Sequence, residues 1–117
     1  MATFTKRTLS GSTDGKGISI SSTSSGSGNT IHAAVSGTTD FDEVWIYAFN
    51  SHSSSVTLNI EFGGTDSTQR ISQPIDPSSG LYLVVPGFVV QNGASITAYA
   101  SVASKVSIYG YANRITA

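Results

Sequence analysis

Cysteine is absent from the 117-residue sequence, and with it go disulfides, thiol nucleophiles and the usual thiolate zinc sites. The absence suits synthesis in a reducing cytosol. Charge is scarce as well. Asp, Glu, Lys and Arg make up 11% of residues, less than half the share of about 25% in an average soluble domain. The six basic residues, Lys6, Arg7, Lys16, Arg70, Lys105 and Arg114, are scattered, and the formal charge is −1. A nucleic-acid surface needs a stripe of phosphate-neutralising cations, so no nucleic-acid partner is expected. No run of about eighteen apolar residues occurs, so no membrane span is expected. "MATFTKRTLS" lacks the apolar core of a signal peptide, so no leader of that kind is expected.

What is present is a chain of ordinary hydrophobicity whose polarity comes from Ser, Thr, Gly and Asn. Apolar residues make up 38% of it and the mean hydropathy is +0.04. At this length a chain buries roughly two-thirds of its unfolded surface, enough for one core. Short runs of β-branched and aromatic residues alternate with a period of two, and no apolar set recurs at 3.6. "TFTKRTL", "ISIS", "TIHAAV", "EVWIYAFN", "VTLNIEF", "RISQPID", "LYLVV" with "FVV", "SITAYASVA" and "VSIYGYANRITA" read as strands. Asp14-Gly15 and Asn92-Gly93 are among the turn signals between them, and Pro86-Gly87 breaks "LYLVV" before "FVV" resumes.

The expectation is an all-β fold with little or no helix, an antiparallel β-sandwich of seven to nine short strands. It is jelly-roll-like rather than immunoglobulin-like, because strands extend evenly to the last residues. Residues 1–17 are expected to form an N-terminal arm or first strand with a turn-rich connector, and residues 18–117 the sandwich. "SSTSSGSGN", Ser21 to Asn29, is expected as a mobile polar loop. "EVWIYAFN" and "VTLNIEF" are expected to pair as a hairpin across "NSHSSS", and Pro74 marks its strand as an edge.

"EVWIYAFN" poses the main question. One side of the strand carries Val44, Ile46 and Ala48, and the other Trp45, Tyr47 and Phe49. A half-solvated strand shows one apolar face; this one shows two. Either a loop, the N-terminal arm or a curl of the sandwich covers the second face, or another chain does; the pattern leaves open which of the two faces is the inner one. Trp45, Tyr47 and Phe49, with Tyr99, Tyr109 and Tyr111, are therefore candidate interface residues. Three neighbouring aromatics, at about 150–250 Å² each, approach the roughly 300–600 Å² of the largest apolar patch on a monomer.

Catalytic signals are weak. Nothing resembles a nucleophile elbow around either His32 or His52, and in so Ser-rich a chain a Ser near a His is uninformative. His32 is expected in the core or an interface with its hydrogen bonds satisfied, and His52 in a solvated turn. Neither has a second ligand at metal-binding spacing. Asp40, Asp42 and Glu43 in "DFDE" are expected as a solvated turn in which one carboxylate accepts backbone N–H bonds, without the D-x-D-x-D-G pattern of a calcium loop. No catalytic residue, metal or cofactor is assigned, and the expectation is a non-enzymatic protein.

Several stretches resemble small structural proteins of tailed-bacteriophage head-gene clusters: "RTLSGSTDGKGISI", "NTIHAAVSGTTDFDEVWIYAFNS", "LNIEFGG", "LYLVVPGFVVQNG" and "IYGYANRITA". Together they cover nearly the whole chain. The resemblance implies a virion component made in the host cytoplasm, of the capsid cement or decoration type. Such a protein sits on the outer capsid surface as a dimer or trimer and bridges neighbouring copies of the major capsid protein. On that reading Phe4, Lys6, Arg7 and Leu9 form a candidate capsid-contacting arm that orders on the shell. A minor head or tail protein remains an alternative. So does a carbohydrate-binding β-sandwich, in which Trp45, Tyr47 and Phe49 would stack on sugars.

Overall fold

The computed structural model describes residues 2–116. Nine strands account for the regular structure: β1 (Thr3–Thr8), β2 (Ile18–Ser19), β3 (Asn29–Ala33), β4 (Phe41–Asn50), β5 (Val56–Phe62), β6 (Arg70–Ile75), β7 (Tyr82–Val90), β8 (Ser95–Ala100) and β9 (Val106–Thr116). A single 3₁₀ turn, Ser67–Gln69, precedes β6. One sheet has the order β1-β9-β4-β7, with β2 pairing β9 on the β1 side; the other has the order β3-β8-β5-β6. All pairs are antiparallel. From β2 onward every connection except β5 to β6 crosses between sheets, which is the interleaved connectivity of a jelly roll. The all-β expectation holds.

Alternation sorts the side chains. Val44, Ile46 and Ala48 of β4 are fully buried, as are Val56, Leu58 and Ile60 of β5, Ile96, Ala98 and Ala100 of β8, and Val106, Ile108 and Ala112 of β9. They meet in one cluster between the sheets. The inner face of "EVWIYAFN" is thus its aliphatic side. The expected β4–β5 hairpin does not form: β4 pairs with β9 and β7, and β5 with β6 and β8. The two strands meet face to face through the core instead, and period-two alternation fits both arrangements. Asn50 secures the crossover. Its Nδ2 donates to the carbonyls of Ser54 (3.0 Å) and Ile75 (2.8 Å), and its Oδ1 accepts the His52 N–H (2.8 Å). The hairpin is β5–β6, with Pro74 on the free edge as expected.

Residues 9–17 leave the edge of the first sheet between β1 and β2 and reach over to the second. The Gly11 N–H donates to the Ile31 carbonyl (2.9 Å), and the Ser10 hydroxyl accepts the Ala33 N–H (2.7 Å). The excursion returns through a turn closed by the Lys16 N–H on the Thr13 carbonyl (3.0 Å). Asp14 and Gly15 both have positive φ there, as a type I′ turn requires. Leu9 is carried into the core and is 1% exposed. One expectation changes, and of the arm and first-strand alternatives the structure has the strand. Leu9 is a core residue and not part of a capsid-contacting arm. The N-terminal segment is an edge strand, six residues long and in register with Tyr111–Thr116 of β9, because Leu9 anchors its far end.

The polar loop 21–29 is also tied down. The Asn29 side chain accepts the N–H groups of Ser21 and Ser22, both at 3.0 Å. Glu61 projects from the outer face of β5 and accepts from the Ser25 hydroxyl (2.6 Å), the Thr97 hydroxyl (3.2 Å) and the Gly26 N–H (3.4 Å). Serine-rich composition pointed to a mobile loop; one distant carboxylate gives it a fixed course.

Truncating Leu9 to Ala should lower unfolding stability by about 2–5 kcal/mol, the range for a large buried aliphatic. Urea denaturation reads this directly, and a change below about 1 kcal/mol would place Leu9 outside the core.

Candidate functional site

Cross-strand partners share a face of the sheet, so the register of β1, β9, β4 and β7 defines the outer surface of the first sheet row by row. One row runs Phe4, Ile115, Phe41; the next runs Lys6, Asn113, Glu43, Val89. Then come Thr8, Tyr111, Trp45, Pro86, followed by Tyr109, Tyr47, Leu83, and finally Ser107 beside Phe49. Five of the six aromatic candidates, Trp45, Tyr47, Phe49, Tyr109 and Tyr111, therefore gather on one face. The N-terminal strand lies beside β9 and not over this face, and among the described residues several side chains of the face stay exposed. Phe4 is 71% exposed, Val89 56%, Leu83 48% and Tyr109 40%; Trp45, Tyr47, Phe49 and Tyr111 are half-buried.

The half-burial comes from how the rings lie. Trp45 and Tyr111 stack with centroids 6.2 Å apart and planes 17° from parallel, and the Lys6 ammonium sits 4.6 Å from the Tyr111 ring centre. The Trp45 indole rests on Gly87, where a Cβ would come within 2.8 Å of it. Gly87 has φ of 80° and sits at a register break where β7 bulges against β4. A substituted residue would be strained there and would lift the ring. Tyr109 lies on Gly17 in the same way, with a Cβ at 2.7 Å from its ring. Gly87 on β7 and Gly17 just before β2 thus let two large rings lie down on backbone, and the face is broad and flat. No cavity opens among the described residues.

The face carries one carboxylate and one ammonium. Glu43 accepts from the Trp45 indole N–H (3.0 Å) and the Asn113 amide (3.1 Å), and these bonds hold its carboxyl below the ordinary value. The polar groups of this row are therefore bonded largely among themselves.

Tyr99 lies apart, on the outer face of the second sheet, with the Arg70 guanidinium 5.6 Å from its ring centre. Of the arm candidates, Phe4 and Lys6 join the aromatic face. Arg7 is exposed on the opposite side of β1, and Leu9 is in the core.

The titratable cluster lies at the end of the core below this face. Asp42 is fully buried. It accepts from Arg114 Nε (2.8 Å) and Nη2 (3.1 Å), from the Val35 N–H (3.2 Å), and bonds His32 Nε2 at 2.7 Å. The Ser10 N–H donates to His32 Nδ1 (3.0 Å), so Nε2 is the nitrogen that presents a hydrogen to Asp42. Both ring nitrogens of His32 are satisfied, as expected. "DFDE" is not a solvated turn, because the register places Asp42 opposite Arg114. The Ser10 hydroxyl accepts the Ala33 N–H, and the His32–Asp42–Arg114 cluster joins β3 of one sheet to β4 and β9 of the other. No group of three or more potential metal ligands occurs among the described residues. No family model, curated protein or solved structure matches the chain.

Burial alone opposes the charge on Asp42 most strongly, but the bonds from Arg114 and His32 together outweigh it and hold the carboxyl below 3.8. Glu61 is likewise desolvated, and its bonds from Ser25, Gly26 and Thr97, with the Arg70 charge, hold it below 4.5. A depressed folded-state pKa adds stability that is fully present above the unfolded value and is lost as pH falls through the folded one. The stability contributed by these two carboxylates should therefore fall below about pH 4.5 and again below about 3.8. Asp42→Asn and Glu61→Gln should start less stable and lose less over that interval. Wild-type melting temperatures that stay level to pH 3 would contradict this assignment.

Proposed function

We propose that this is a non-enzymatic structural protein of a virion, a capsid cement or decoration protein. It binds the outer surface of the capsid and stabilises contacts between neighbouring copies of the major capsid protein. The observation that carries the reading is the flat aromatic face on the β1-β9-β4-β7 sheet, backed by a fully packed core and left uncovered by its own chain. Covering about 500 Å² of such surface is worth on the order of 10 kcal/mol before entropy is deducted, comparable with the net stability of a domain. A patch of that size on a small rigid body is a docking surface. The segments that resemble phage head structural proteins supply the setting.

Cementing needs no chemistry. It needs a stiff body with sticky surfaces and few solvating charges. A bridge that binds only one arrangement of the shell stabilises that arrangement by its binding free energy, repeated over many sites. The jelly roll supplies stiffness, because both its sheets and its longest polar loop are pinned by buried polar clasps.

Image reconstruction of virions assembled with and without this chain tests the reading. Extra density on the outer capsid surface, with lower resistance to heat or chelation in its absence, is expected. Virions that lack the chain altogether would refute it. The competing carbohydrate reading draws on the near-parallel Trp45 and Tyr111 rings. Glycan-array binding that Trp45→Ala abolishes would favour it instead.

A further inference from the structure

We infer that the occupant of the aromatic face is a second copy of this chain, packed sheet to sheet about a two-fold axis that runs along β9. The inference rests on the reading of that face as a docking surface, and it assigns the partner.

Three observations bear on the partner, the axis and the strength of the contact. The first is charge. Lys6 and Glu43 are the charged side chains presented by the strands of this face, and they lie in one row on either side of Asn113. A two-fold axis along β9 exchanges the positions of β1 and β4 and so lays Lys6 of each copy over Glu43 of the other. An axis midway between β9 and β4 would instead oppose Glu43 to Asn113 and Lys6 to Val89. Both charges would then be covered with no opposite charge facing them, which is costly. An isologous contact in which residue i meets j and j meets i is the ordinary form of a homodimer.

The second observation is apolar matching. The same axis exchanges Phe4, the most exposed large apolar side chain at 71%, with Phe41 at the other end of its row. Phe4 then has an aromatic ring opposite it. Tyr111 lies close to the axis and meets its own copy.

The third is area, which sets the strength of the contact. β4 is ten residues long but β1 only six, so about ten residues of β9 and six on each flanking strand overlap; at about 3.4 Å per residue and strands about 4.8 Å apart, the shared footprint is roughly 360 Å² per copy. Two such footprints, about 700 Å², lie below the roughly 1,000 Å² of a stable interface and match a weak, transient one. The expected dimer is reversible, of micromolar affinity. The polar groups of the row suit a dry contact, since Trp45, Asn113 and Glu43 already bond one another. A glycan platform would hold such groups ready for hydroxyls. This geometry leaves β7, the β1 edge and the outer face of the second sheet open for other contacts.

Sedimentation equilibrium of the purified full chain, with circular dichroism of each variant, tests the inference. Wild type should pass from monomer to dimer with rising concentration. Lys6→Glu should weaken the dimer about tenfold or more by facing two carboxylates, and Glu43→Lys should do the same with two ammonium groups. The double variant Lys6→Glu/Glu43→Lys should recover most of the loss. Tyr111→Lys should abolish the dimer; should that variant fail to fold, Lys6→Glu on the exposed edge strand still decides. A chain that stays monomeric at high concentration overturns the inference, as does a trimer. So does a dimer unaffected by Lys6→Glu, or single variants that the double variant does not rescue. Monomers that still decorate capsids, or that bind a glycan through Trp45, would refute this dimer by giving the face another occupant. Capsid decoration by such monomers would leave the cement reading standing, and a dimer of the expected kind absent from virions would leave only the inference standing.

Discussion

The pairing of β4 with β9 is the contact on which the molecule is organised. It extends over ten positions, from Phe41 opposite Ile115 to Asn50 opposite Val106. Both strands are apolar on two sides, so alternation by itself leaves the register weakly specified. A slip of one residue would exchange the aliphatic and aromatic faces of one strand relative to the other. The buried bond from Arg114 to Asp42, directly opposed in the native register, supplies the missing specification. Slipped by one, Arg114 would face outward and Asp42 would be an unpaired carboxylate inside the core, an expensive state. His32 then links the same carboxylate to β3 in the other sheet, so that one side chain fixes a register and joins two layers.

That arrangement explains how so apolar a surface is kept flat and uncovered. With Val44, Ile46 and Ala48 committed to the core, the aromatic side of β4 has nowhere to go but outward. The register then sets Tyr111 beside Trp45 and Tyr109 beside Tyr47. Gly17 and Gly87 let the outermost rings settle on backbone, which lowers their exposure without folding anything over them. The molecule thus reduces the cost of its greasy face without removing it, and exposed apolar side chains such as Phe4, Leu83 and Val89 remain on it. Charge scarcity, the first feature met in the sequence, has a use in this context: few ionic side chains must be desolvated when that face is covered.

Much of this was legible from residue order. Most strands and turns and the sandwich class follow from alternation and turn chemistry, and Pro74 marked an edge because it cannot donate to a ladder; Pro86-Gly87, expected as a break, is instead a bulge inside the continuous β7. The aromatic set of the central strand was visible at once. Other features were not legible because they depend on contacts remote in sequence. Asp42 in "DFDE" looks like a turn residue until Arg114 is set against it. Ser21–Asn29 looks like a free loop until Glu61 reaches it. Tyr99 has the same alternating neighbours as Tyr109 and ends on the other sheet. Leu9 looks like part of a polar arm, and the excursion through Gly11 to Ile31 carries it into the core.

The amino-acid order by itself determined the local periodicity: which residues are extended, where the chain turns, and that one strand has two apolar sides. Those properties depend on near neighbours, whose steric and solvation preferences act within a few residues. Tertiary structure decided which side of that strand is the core, which aromatics share a face, and which charges are clasped inside. Each of those depends on strand order and register, and in a jelly roll the neighbours in a sheet are mostly far apart along the chain, beyond the reach of any local pattern.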